Sequence, residues 1–113
     1  MSNIRAKDAK TVELLARRAR RLAEPLVAHI PGGCLSVEST FGSAWKRYAP
    51  WSVKIAVYRM FETPRGDRLL APMVLLEHGL ESTEEIDDAI DKLRAIVADQ
   101  SWPQSDVESQ CAA

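Results

Sequence analysis

The chain has 113 residues, 46% of them apolar and 27% charged, with a net charge of −1. That composition predicts one domain with its own core and excludes a chain disordered throughout. No apolar run nears the ~20 residues of a membrane-spanning helix, and residues 1–8 lack the apolar stretch of a secretory signal.

The first predicted element is a helix. Val12, Leu15, Ala19, Leu22 and Leu26 recur at spacings of three and four, with Ala16, Ala23 and Val27 beside them. Lys10, Arg17, Arg21 and Glu24 fall on the opposite face, Arg18 and Arg20 on its flanks. Leu14 falls on the basic face, where a purely solvated helix has no use for it. Pro25 lacks an amide proton, which predicts a kink or a short second helix reaching Ile30. Pro31-Gly32-Gly33 ends the helical region.

Three strands are expected next. Leu35, Val37 and Phe41 alternate with polar residues. Trp51, Val53, Ile55 and Val57 alternate more strongly, in a strand running on toward Phe61. Thr63-Pro64-Arg65-Gly66-Asp67 is turn chemistry. Residues 68–78 return as a third strand, which Pro72 confines to an edge or a bulge. Residues 42–50 read as a long loop between the first two strands.

The last helix has the clearest start. Ser82 and Glu85 fit a capping box, and Ile86, Ala89, Ile90, Leu93, Ile96 and Val97 form one apolar face. Asp88 and Lys92 are spaced for an i,i+4 ion pair. The domain is expected to cover residues 1–99. Residues 100–113 read as a polar, disordered tail, with Trp102-Pro103 a candidate to fold back.

The fold class is therefore α+β. A three-stranded antiparallel sheet carries N- and C-terminal helices on one face, in the order α-β-β-β-α. This order resembles that of the double-stranded-RNA-binding domain. That family holds phosphates with basic residues at the start of its second helix. The matching place here reads Glu84-Glu85-Ile86-Asp87-Asp88, which repels them.

The small net charge hides a split. Residues 1–68 hold thirteen Lys/Arg and six Asp/Glu, and residues 69–113 hold two and ten. Three constellations follow, each with a plainer reading as solvated surface. Arg17, Arg18, Arg20 and Arg21 could grip phosphates, as could Lys46 and Arg47. Trp45, Tyr48 and Trp51 interleave with those two cations, a kit for stacking bases or for a protein hot spot. Trp51 is better placed as a core residue. Glu84, Asp87, Asp88 and Asp91 could imitate a phosphate backbone and dock on a basic partner. The like-charge pairs Glu84–Asp88 and Asp87–Asp91 cost stability, so they ask for a reason.

Enzyme signals are weak. His29, His78, Cys34 and Glu77 are the plausible players, and Cys34 with His78 across the sheet would make a nucleophile–base dyad. No spacing suggests a metal, and no cofactor is expected. Two cysteines make no disulfide framework, which points to a reducing cytoplasm. The expected function is non-enzymatic binding of a protein partner by an accessory or inhibitor chain. One form is a phage- or plasmid-encoded inhibitor of a nucleic-acid-handling complex. The alternative is nucleic-acid binding through the basic helix and the Trp/Lys/Arg/Tyr loop. A homodimer is a further arrangement the charges allow.

Overall fold

The computed structural model describes residues 3–40, 51–62, 69, 70 and 72–103. Helix α1 spans Ala9–Val27. Asp8 caps it: the carboxylate accepts from Thr11 N at 2.8 Å, and Thr11 Oγ1 accepts from Asp8 N at 3.1 Å. Those bonds favour the ionised carboxylate. The Thr11 backbone N–H, then its hydroxyl, hold the Asp8 pKa below its ordinary value.

Pro25 does not split the helix. Helical bonding continues past it, with Ala28 N donating to Glu24 O at 3.1 Å, so the expected second short helix is absent. The proline lies on the exposed side, where the carbonyl it leaves unpaired can face water.

Strands β1 (Gly33–Thr40), β2 (Ser52–Arg59) and β5 (Met73–Leu80) form one antiparallel sheet in the order β1-β2-β5. Between β2 and β5, two short strands pair with each other, β3 (Phe61–Glu62) and β4 (Leu69–Leu70). The expected third strand is thus divided beside Pro72 and runs on to Leu80. β5 lies at an edge, where Pro72 costs the sheet no central bond. Its register against β2 shifts between Val53 and Ile55. Gly79 sits in this stretch with φ +70°, the residue type that tolerates such a bulge.

Helix α2 spans Thr83–Asp99. Ser82 Oγ accepts from Glu85 N at 3.2 Å, as the capping box requires. The Glu85 carboxylate reaches one residue further back than expected, accepting from Glu81 N at 2.6 Å.

Both helices cover one sheet face, α1 over β1 and β2 and α2 against β5. Alternation along β2 explains why. Val53, Ile55 and Val57 point into the helix layer with no exposed surface, beside Leu15, Ala19, Ile86, Ile90 and Leu93. The other sheet face carries registered rows, Cys34–Tyr58–Met73 and Ser36–Ala56–Leu76. Past α2 the chain folds back: Trp102 packs against the core, as its apolar ring invites. The remainder of the expected tail lies outside the described residues.

Two features were not read from the sequence. Residues around Ile4 lie along the start of α2: Thr83 N donates to Ile4 O at 2.9 Å and Ala6 N to Glu81 O at 2.7 Å. Arg59 is 2% exposed, next on the inward alternation after Val57. Its Nε donates to Pro31 O at 2.8 Å and its Nη1 to Pro103 O at 2.6 Å. The guanidinium carbon sits 5.2 Å from the Phe61 ring centroid.

Candidate functional site

The two halves of the charge split meet on the outer surface of the helix layer. Strand and helix directions make α1 and α2 parallel neighbours, and the grooves between them show the match in height. Leu14 and Leu15 line a groove with Thr83, Arg18 one with Asp87, and Leu22 one with Ile90 and Asp91.

Arg18 and Asp87 form a bidentate pair at the centre of this seam. Nε lies 2.8 Å from Oδ1 and Nη2 2.9 Å from Oδ2. The planar fork matches the carboxylate geometry. The Arg18 side chain is 18% exposed and that of Asp87 42%. Hydrogen bonding to Asp87 raises the Arg18 pKa further. The pair also removes part of the reason to see Asp87 as strained by Asp91, since its charge is matched across the seam.

The other sequence candidates separate around this pair. Arg17 is exposed and bridges Glu13 at 3.3 Å. Arg20 turns toward the sheet edge, where Nη2 donates to Val37 O at 3.3 Å. Arg21 stays exposed on the outer ridge. On α2, Glu84 and Asp88 are exposed, and Asp91 bridges Arg94 at 2.8 Å. The predicted Asp88–Lys92 pair does not form. Lys92 Nζ instead meets Glu77 Oε1 at 2.6 Å, because the β5 register turns Glu77 toward the helices. Trp51 is half-buried and packs against the core. Trp45, Lys46, Arg47 and Tyr48 lie outside the described residues.

Three grooves border Arg18 around the seam. Two measure about 330 Å³ and the third about 280 Å³. On the α1 side the wall is apolar and basic, from Ile4, Leu14, Arg17 and Arg21. On the α2 side, at the same height, it is acidic, from Glu84, Asp87 and Asp88. Leu14 is 40% exposed on this rim. A seam with opposite charges on its two sides suits a protein surface better than a phosphate chain, which needs one sign throughout.

The proposed Cys34–His78 dyad is overturned by the register. Cys34 is level with Tyr58 and Met73, whereas His78 lies five residues farther along β5, about 16 Å away along the strand. No hydrogen bond can span that separation. Among the described residues, no group of three His, Cys, Asp or Glu could hold a metal ion. Among them too, no helix is long and apolar enough to cross a membrane. No protein-family model, curated protein or solved structure matches this chain.

Proposed function

We propose that this protein is a non-enzymatic, cytoplasmic binding module that docks on another protein through the outer surface of its helix layer. The single observation behind this reading is the Arg18–Asp87 pair, which joins the basic and acidic regions into one mixed surface. The exposed residues on its two sides, Arg17 and Arg21 against Glu84, Asp88 and Asp91, offer both signs within one footprint. Leu14 supplies an apolar anchor beside Arg17 and Arg21. An accessory subunit or inhibitor fits such a surface. An inhibitor of a nucleic-acid-handling complex, phage- or plasmid-encoded, is the concrete form, with α2 carrying the acidic edge.

The runner-up is nucleic-acid binding through Arg17, Arg18, Arg20 and Arg21 together with Lys46 and Arg47. Three of these four helix cations already have partners: Glu13, Asp87 and the Val37 carbonyl. Titrating labelled single- and double-stranded oligonucleotides with the purified protein separates the readings. The expected result is no saturable binding even at low salt. Binding that weakens steeply as salt rises, and that Arg17→Glu/Arg21→Glu abolishes, would replace this reading with the nucleic-acid one.

A further inference from the structure

We propose that the helix layer is self-complementary and pairs face to face with a second copy of this chain. The proposal rests on reading that surface as protein-binding, and it names one partner for it. The outer ridge of α1 presents Leu14, Arg17, Arg21 and Glu24, all exposed. The outer ridge of α2 presents Glu84, Asp88 and Asp91, all exposed, while Arg94 lines the seam with Arg18 and Leu22. Signs along the first ridge run positive, positive, negative. Along the second they run negative throughout.

Symmetry turns this likeness into a register. In a two-fold dimer the same patch serves both copies. Because α1 and α2 are parallel neighbours, a two-fold axis running along their seam lays α1 of each copy over α2 of the other. Such an axis leaves every residue at its own height, so no sliding is allowed. Arg18 stands level with Asp87, a sequence offset of 69. Arg17 of one copy then stands at the height of Ile86 of the other, with Glu84 and Asp88 about 3 Å above and below. Arg21 comes to the height of Ile90, between Asp88 and Asp91. Charge complementarity thus sets Arg17 and Arg21 of each copy against Glu84, Asp88 and Asp91 of the other. Leu14 comes to the height of Thr83 and leaves water, which accounts for a large apolar residue on a charged ridge.

The existing local pairs do not forbid this. Arg17–Glu13 and Arg94–Asp91 are exposed, and exposed pairs are weak enough to exchange partners. The opposite sheet face also shows large apolar residues, Met73 and Leu76, at 47% and 45% exposure. Among the described residues its ion pair is Lys54–Glu38, 3.8 Å apart within one copy, and no row of like charges faces an opposite row, so it serves as the control surface.

The test is the mass of the purified protein by sedimentation at about 0.02 M and about 0.5 M salt, on either side of a ~10 Å screening length. The expected result is a doubled mass at low salt that falls to the monomer at high salt. Arg17→Glu/Arg21→Glu and Asp88→Lys/Asp91→Lys should each be monomeric at both. Mixed together they should regain the doubled mass, because each reversed ridge then faces its opposite. Leu76→Asp should leave the dimer intact. A monomeric wild type at low salt, a dimer indifferent to salt, or a dimer lost only in Leu76→Asp would each overturn the pairing. Should a reversed variant fail to fold, the wild-type salt series decides alone. The purified chain meets no foreign protein here, so a monomeric result removes this pairing and leaves the proposed binding function to its own test.

Discussion

Arg59→Met should destabilise the protein by about 3 kcal/mol, measured by urea unfolding. Methionine fills much of the same volume but donates nothing. The Pro31 and Pro103 carbonyls, which now accept at 2.8 and 2.6 Å, lose a charged donor. Each such bond is worth about 1.5–3 kcal/mol, and the methionine leaves both carbonyls without this donor. The effect reaches beyond β2. Arg59 joins the end of α1's exit turn, the central strand and the segment after α2, so its loss also frees the chain that carries Trp102. At this chain length the melting point should fall by roughly 10 °C. A change below about 1 kcal/mol would mean the two carbonyls find other donors and the arginine is not the tie.

Gly32→Ala should cost nearly as much, about 3 kcal/mol, for a different reason. Gly32 has φ +67°, which costs an L-residue about 1–2 kcal/mol. A β-carbon there would also lie 2.5 Å from the Met60 carbonyl oxygen, which is backbone and cannot rotate away. The same approach lets Met60 N donate to Gly32 O at 2.9 Å, so the contact holds the α1–β1 turn against β2. Gly79 is the comparison. Its φ is +70° but its added carbon meets nothing within 4 Å. Gly79→Ala should therefore cost only the conformational part, about 1–2 kcal/mol. Equal losses for the two variants in the same unfolding experiment would show that the Met60 contact carries no weight.

The sequence showed the elements because each carries a local period. Val12 to Val27 repeats every three or four residues, β2 alternates, and Ser82 with Glu85 marks a helix start. What it hid was long-range pairing. Asp88 and Lys92 looked like partners because four residues on a helix bring side chains together. Lys92 chose Glu77, which faces the helices because it pairs with the inward-pointing Ile55 in the β2–β5 register. Arg18 and Asp87 are 69 residues apart, and no local rule links them. Their candidate roles were visible from residue type, but whether the charged regions were neighbours depended on helix packing. Arg59 carried a usable signal: it continues the inward series Val53, Ile55, Val57. An arginine at a core-facing strand position asks for buried acceptors. The N-terminal segment could similarly have been found from Ile4 and Ala6, which alternate with charged neighbours.

The proposed function depends on one surface using both signs of charge to hold a protein. Capture from nuclease-treated lysate of the native host tests this most directly, comparing the wild type with Asp88→Lys/Asp91→Lys, Arg17→Glu/Arg21→Glu and Leu76→Asp. The account predicts one protein retained by the wild type and by Leu76→Asp, and lost from both reversed variants. A partner that vanishes with nuclease, or that binds all four proteins equally, would contradict it.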